Sequence, residues 1–207
     1  MNPLDRLAEY FKDFPGIGRR QAKRFAYHVL KQTPEYVEQF IHSLQSARDG
    51  MRQDPLSFQY FFDDGFGHEL SPIMRDLNRD QSQLMIVEKD ADIEHLEKTK
   101  LYRGHYFVLG GLAPLLTSDL GSNVRIQALF ARIKNLAELG TLKEIIFALP
   151  AHPEGDRTTM LLRDQVTPLT EKTSIIMTTL GRGMSTGSEI EYVDSHTLEE
   201  ALKNRHA

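Results

Sequence analysis

The chain of 207 residues contains no cysteine and no tryptophan. Without cysteine there is no disulfide framework, no thiol nucleophile and no thiolate set for zinc or an iron–sulfur cluster. Long apolar runs are missing too: nothing approaches the roughly 18 uninterrupted apolar residues that a membrane helix requires. The start, Met1-Asn2-Pro3-Leu4-Asp5, lacks the basic-then-apolar pattern of a secretory leader, and the composition points to the cytoplasm. Catalytic signatures are equally scarce. The 8 histidines are scattered, with no His-Glu-x-x-His and no Gly-x-Ser-x-Gly, so neither zinc hydrolysis nor a serine hydrolase is supported. His28 and His95 read as helix-surface residues. The segment Gly181-Arg182-Gly183-Met184-Ser185-Thr186-Gly187 is glycine-rich but has no Gly-Lys-Ser/Thr end, and it follows the last strand rather than opening the first strand–helix unit. What remains is the composition of an ordinary globular chain of one or two domains, 40% hydrophobic and 26% charged.

Positive charge is present but concentrated. The net charge is −4, yet residues 1–34 carry seven Lys/Arg against three Asp/Glu, leaving a remainder of −8. Within that region Phe14-Pro15-Gly16-Ile17-Gly18-Arg19-Arg20-Gln21-Ala22 reads as a glycine turn opening into a basic helix. Gly16 and Gly18 can take positive φ and lack a Cβ, which lets backbone N–H groups approach an anion. The start of the following helix adds unpaired N–H groups and its positive dipole end. Ala22, Phe25, Ala26, Val29 and Leu30 recur at helical spacing and are expected to face a core, with Arg19, Arg20, Lys23, Arg24 and Lys31 on the other side. A preceding helix over Pro3 to Asp13, capped by Asn2 and striped by Leu4, Leu7, Ala8 and Phe11, completes a helix-hairpin-helix. Such placement suits sequence-independent contact with a nucleic-acid backbone. The competing view is an ordinary helix–helix turn with a solvated charged face.

Pro34 to about Gly50 reads as a third amphipathic helix through Val37, Phe40, Ile41 and Leu44. From Met51 to Asp80 the period is lost and turn formers gather around Phe58, Tyr60, Phe61, Phe62 and Phe66. From Ser82 short β-prone runs alternate with helices. Strands are expected at Leu84–Val87, Tyr106–Leu109, Ile145–Leu149 and Ser174–Met177, with helices at Asp90–Thr99, Val124–Leu139 and Asp156–Val166. Nearly continuous apolar strands separated by helices mean a parallel sheet covered on both faces. Thr197-Leu198-Glu199-Glu200 has a capping-box pattern that announces a C-terminal helix. The fold class is therefore mixed, α+β with an α/β portion. Its domains are a helix-hairpin-helix over 1–53, an irregular module over 54–80, the sheet domain over 81–178 and a C-terminal strand-loop-helix segment over 179–207.

In parallel α/β sheets the carboxyl ends of the strands form the functional edge. Glu88, Asp90 and Asp92 follow the first strand, Asp119 lies after the second, and Glu154 and Asp156 follow the third. Carboxylates gathered from strand ends can hold Mg²⁺, which takes oxygen ligands and bridges to phosphate. The alternative is that they cap the following helices, the role expected of Asp90 and Asp156.

Together these elements resemble the RecR family of bacterial recombination mediators over essentially the whole chain. The hairpin Pro15-Gly16-Ile17-Gly18 with Ala22 matches its N-terminal signature, and Arg75-Asp76-Leu77-Asn78-Arg79-Asp80 resembles the stretch closing its zinc motif. Ile86-Val87-Glu88 with Asp92, Tyr102 to Gly111 with Ala113-Pro114-Leu115, and Glu154-Gly155 with Thr159 look like its Toprim domain. Arg182-Gly183-Met184, Gly187 and Glu191-Tyr192-x-Asp194-x-x-Thr197-Leu198-x-x-Ala201-Leu202-x-x-Arg205 match its C-terminal block. The resemblance implies a non-enzymatic, nucleoid-associated protein that forms a dimer or ring-like tetramer able to encircle DNA. With RecO and RecF it would help load RecA at gaps and breaks. It assigns DNA contact to Arg20 and Arg24, and partner interaction to the Toprim acids Glu88, Asp92 and Glu154.

The chain departs from that pattern in three places. The family's C-x₂-C-x₈-C-x₂-C zinc motif falls on Gln59, Phe62, Ser71 and Met74, so no zinc cofactor is expected. A structural zinc site contributes on the order of 10–16 kcal/mol. Burying four or five of the clustered aromatics at roughly 1.5–3 kcal/mol each gives a comparable amount. A metal-free module around Phe58, Phe61, Phe62 and Phe66 is the resulting expectation. The loop Leu116 to Gly121 lacks the family's Leu-Asp-Gly run and leaves Asp119 displaced, which weakens a Toprim Mg²⁺ site. Ser185 stands where the family has proline. Three functional readings follow: a DNA-binding mediator or clamp, a Mg²⁺-dependent Toprim-type nuclease or primase-like enzyme, and an interaction protein that no longer binds DNA.

Overall fold

The computed structural model describes residues 1–114, 124–170, 173–184 and 187–204. Asp119, the rest of the Leu116–Gly121 loop, Leu115, Ser185 and Arg205 lie outside them. The chain divides into two compact units, Met1–Met51 and Arg52–Ala207.

The first unit consists of three helices, α1 (Pro3–Lys12), α2 (Arg19–Leu30) and α3 (Pro34–Gly50). Asn2 accepts the Asp5 N–H at 2.8 Å and Pro3 fits the first turn, so α1 starts where its sequence dictates. Ala8, Ala22 and Ala26 are buried where α1 and α2 meet, and small side chains there let the backbones approach closely. Phe11 packs edge-on to Phe14 and Phe25 and closes the open end of that contact. Leu30, expected in the core, is 62% exposed. It is the last residue of α2, where the helical period continues but packing has ended. In α3 no residue is buried, so the expected apolar stripe lies uncovered, with Tyr36, Phe40, Ile41 and Leu44 exposed.

The second unit is built on a four-stranded parallel sheet. Its strands are β3 (Asp80–Val87), β4 (Gly104–Val108), β5 (Glu144–Ala148) and β6 (Ile176–Thr179), in the order β4-β3-β5-β6. Before them, β1 (Met51–Gln53) and β2 (Tyr60–Phe62) form a small two-stranded ladder, followed by the short helix α4 (Pro72–Arg75). One face of the large sheet, with Leu84, Ile86, Phe107, Ile145 and Phe147, packs against α6 (Ile126–Glu138) and α7 (Pro153–Thr170) through Leu129, Ile133, Leu162 and Val166. The other face, with Met85, Val87, Tyr106 and Ile146, packs against Ile93 of α5 (Asp90–Thr99). Because alternate residues of β3 serve opposite faces, its run from Leu84 to Val87 is apolar throughout.

Three local expectations are corrected. The cluster of aromatics is not a core of its own: Phe61 is buried and Phe58 packs on Phe107 at 5.4 Å, but Phe62 and Phe66 are 69% and 81% exposed. Strand alternation in β2 explains it, since Phe61 points inward and its neighbours Tyr60 and Phe62 point out. The C-terminal helix α8 (Ser195–Lys203) is capped by Asp194, which accepts the Thr197 N–H at 2.9 Å, and not by Thr197. Asp90 does not cap α5. Lys89 occupies that position and the Asp92 carboxylate accepts its N–H at 3.0 Å, while Asp90 accepts the Tyr60 N–H at 2.7 Å. Asp156 likewise sits in the first turn of α7 and pairs with Arg182 at 2.5 Å.

Candidate nucleic-acid interface

The turn between α1 and α2 has only one glycine in the left-handed region. Gly16 has φ +77°, which a side chain adopts at a cost, whereas Gly18 is the extended N-cap of α2 with φ −80°. The expectation that both glycines could serve by positive φ therefore narrows to Gly16. What Gly18 supplies is absence: no side chain caps α2, and a Cβ built at Gly16 or Gly18 meets nothing within 4 Å. The start of α2 is consequently open, with its amide donors and dipole facing solvent.

Arg19, Arg20, Lys23 and Arg24 are all exposed around this opening. Spacings of three and four residues put Arg20, Lys23 and Arg24 on one side of the helix, while Ala22 and Ala26 anchor the other and Arg19 stands in the first turn at the edge of the alanine stripe. Their commitments differ. Lys23 Nζ lies 3.4 Å from Asp5 of α1, and Arg24 reaches Gln21 Oε1 at 3.4 Å. Arg19 and Arg20 make no ion pair or side-chain hydrogen bond among the described residues. An uncapped helix start ringed by guanidinium groups is chemically suited to phosphate: the amides and dipole attract the anion and the arginines give charge-assisted hydrogen bonds.

The fold gives the three Toprim acids different surroundings. Glu88 follows β3 and lines a shallow cavity of about 230 Å³ with Asp90, Gly110, Gly111 and Arg125. Asp92 is spent at the start of α5, and Glu154 is exposed in the first turn of α7. Arg125 donates to the Val108 carbonyl at 3.0 Å and lies 5.0 Å over the Phe58 ring, placing a guanidinium in the Glu88 cavity. Sequence reasoning missed Arg125, because nothing in the local pattern marks a helix-start arginine as facing a strand end. Among the described residues no three His, Asp or Glu side chains converge as a metal site would need.

The zinc-motif positions do not fit the metal either. The Phe62 ring is exposed, Ser71 is buried with its Oγ accepting the Met74 N–H at 3.2 Å, and neither Gln59 nor Met74 offers a thiolate. Within this module lies the buried Asp54, whose carboxylate accepts the N–H groups of Leu56, Ser57 and Ser71.

Fold and surface together define a class: proteins of DNA transactions that join a helix-hairpin-helix to a Toprim sheet. Comparison with known proteins narrows it. The family model described as RecR, helix-hairpin-helix matches residues 4–48, the Toprim domain model matches 82–176, and the model described as RecR, C-terminal matches 183–206. The chain is 31% identical over 203 residues to recombination protein RecR of Endomicrobium trichonymphae, covering 98% of this chain and 96% of that one. It is 31% identical over 205 residues to the protein of the same name from Nocardia farcinica, covering 99% and 98%. With the one from Lactobacillus johnsonii the identity is 32% over 205 residues, covering 98% and 96%. The chain belongs to the RecR family, and its role lies in DNA recombination and repair. Among the described residues no helix is long and apolar enough to cross a membrane.

Proposed function

We propose that the chain is a DNA-binding recombination mediator or clamp that acts without turnover. It engages the DNA backbone through Gly16, Gly18, Arg19, Arg20, Lys23 and Arg24 and cooperates with RecO and RecF in loading RecA at gaps and breaks. The observation that carries this reading is the uncapped start of α2 surrounded by four exposed cations, within a chain whose remaining charge is acidic. Backbone contact of this kind is sequence-independent, which suits a protein that must act wherever a gap arises. Glu88, Asp92 and Glu154 belong in this reading to a partner-facing edge that needs neither Mg²⁺ nor zinc. Assembly of copies into a dimer or tetramer belongs to it as well, and the uncovered stripe of α3 supplies apolar surface for that association. Work on DNA at gaps places the protein at the nucleoid.

Fluorescence anisotropy on a duplex carrying a single-stranded gap, run across a salt series, tests the proposal. Salt-sensitive binding that collapses in Arg20→Ala/Arg24→Ala, with the DNA left intact in the presence of Mg²⁺, is expected. Mg²⁺-dependent cleavage abolished by Glu88→Gln would replace it with the enzyme reading. Absence of binding by the unaltered chain, with RecO capture retained, would favour an interaction protein.

A further inference from the structure

The lost zinc motif leaves open what joins the module that precedes the sheet. Two short segments there repeat one another: Asp54-Pro55-Leu56-Ser57 and Ser71-Pro72-Ile73-Met74. Their hydrogen bonding repeats as well. Asp54 Oδ1 accepts the N–H of Ser57 at 2.9 Å and Ser71 Oγ accepts that of Met74 at 3.2 Å, three residues on in each case. The Asp54 carbonyl accepts the Phe58 N–H at 2.9 Å and the Ser71 carbonyl that of Arg75 at 3.0 Å, four residues on in each case. Proline sits at the first position of both turns, where its missing N–H costs nothing. The two turns are also buried together, with Asp54, Ser57 and Ser71 at 0%, 1% and 0% exposure.

One group links them. Asp54 Oδ1 also accepts the Leu56 N–H at 2.8 Å, and its Oδ2 accepts the N–H of Ser71, seventeen residues away, at 2.6 Å. Three backbone donors on one buried carboxylate are charge-assisted bonds. The charges that face it come from other elements: Arg132 of α6 and His105 of β4 both feel the Asp54 charge. The module is then fixed to the sheet by the Ser57 carbonyl, which accepts the Val108 N–H at 2.8 Å.

We propose that Asp54 takes the place of a metal in a two-turn zinc-type module, and that the positions equivalent to the four ligands are Asp54, Ser57, Ser71 and Met74. A tetrathiolate zinc joins two Cys-x₂-Cys turns from separate segments, and here one carboxylate joins two turns of the same spacing. The alignment that places the first pair at Gln59 and Phe62 is corrected by geometry. Those residues run extended into β2, with Phe62 turned to solvent, and an extended strand cannot aim positions i and i+3 at one point. The connection between the turns is instead thirteen residues long rather than eight. Its extra length holds the Asp63-Asp64-Gly65 turn, where Asp63 accepts the Gly65 N–H at 3.0 Å.

Two full-length cysteine grafts test this under reducing conditions, read by bound zinc per chain and by the cobalt(II) spectrum. Asp54→Cys/Ser57→Cys/Ser71→Cys/Met74→Cys is expected to bind one metal with a tetrahedral tetrathiolate spectrum. Gln59→Cys/Phe62→Cys/Ser71→Cys/Met74→Cys is expected not to. The opposite result, or no site in either graft, overturns the equivalence. In the otherwise native chain, Asp54→Asn exchanges a carboxylate for an amide that cannot accept all three bonds. A fall in Tm of about 5 °C is expected, together with faster amide exchange at Leu56, Ser57 and Ser71 and none added in α2. Unchanged exchange at those amides, or stoichiometric zinc in the purified native chain, overturns the role of Asp54.

Discussion

On the proposed interface, the salt dependence of DNA binding is set by the four cations around the start of α2. Each phosphate neutralised contributes about −0.9 to the slope of log K against log salt, so four contacts give a slope of about −3.6 per hairpin. Raising salt fourfold then weakens binding about 150-fold. Arg20→Ala/Arg24→Ala removes two contacts, halves the slope to about −1.8 and reduces the same salt effect to about 12-fold. Alanine is the best helix former and both arginines are exposed, so the helix should survive, as circular dichroism would verify. Lys23 lies 3.4 Å from Asp5, so on the proposed interface it would divide its charge between DNA and that carboxylate, and its removal should cost less slope than removal of Arg20. The same geometry predicts a gain: Asp5→Asn frees Lys23, deletes a repelling charge and should tighten binding several-fold at low salt. A salt slope that the double variant leaves unchanged would refute the assignment of the interface to α2.

Other perturbations address the sheet unit. A Cβ at Gly155 would overlap the Pro150 carbonyl, a backbone group that cannot swing aside, so Gly155→Ala should lower Tm by thermal scanning and leave the affinity of the hairpin for DNA unchanged. Burial of the His105 ring, reinforced by Arg132 and Arg79 against the opposing Asp54 and Asp80, holds its pKa below 6.5 in the folded chain. The unfolded state then binds the proton more readily, and stability falls as pH drops through 6.5 towards the folded value. His105→Gln should flatten that dependence in Tm measured from pH 7.5 to 5. Asp194→Ala removes the cap of α8 and should destabilise that helix by about 1 kcal/mol, seen as faster exchange at Thr197 and Leu198.

Periodic signals in the sequence translate directly into structure. The spacing of Ala22 and Ala26 sets the packed face of α2 and so the opposite, cationic face, and the apolar runs at Leu84–Val87 and Ile145–Leu149 become central strands. What failed depends on contacts that no window of sequence contains. Aromatic density around Phe62 and Phe66 suggests a core, but alternation within β2 turns Phe62 outward and Phe66 is left exposed among the described residues. Two residues three apart, Asp194 and Thr197, compete to cap α8, and backbone geometry decides for the first. Asp54 is the extreme case. Its role exists only because Ser71 is brought to it from seventeen residues away, and an aspartate before a proline looks like any turn. Glu88, Asp90, Asp92, Glu154 and Asp156 do follow strand ends, yet three of these carboxylates serve different partners: Asp92 binds Lys89, Asp90 binds Tyr60 and Asp156 binds Arg182.

One hairpin is a weak DNA ligand on physical grounds. Its contacts are few, exposed and screened within about 10 Å at moderate salt, and the rest of the chain is acidic and repels the same backbone. Affinity adequate for a mediator therefore has to come from several hairpins engaging one DNA, where linkage makes later contacts effectively intramolecular. On the proposed function, association of copies is then part of the binding mechanism. The uncovered α3 stripe, with Ile41 and Leu44 at 49% and 56% exposure, is where charge substitution should separate the two properties. In Ile41→Glu/Leu44→Glu the Arg19 and Arg20 face is intact, so the salt slope per chain should persist. Oligomer mass by light scattering and affinity on long gapped duplexes should fall together. Loss of mass with undiminished affinity would show that a single hairpin suffices.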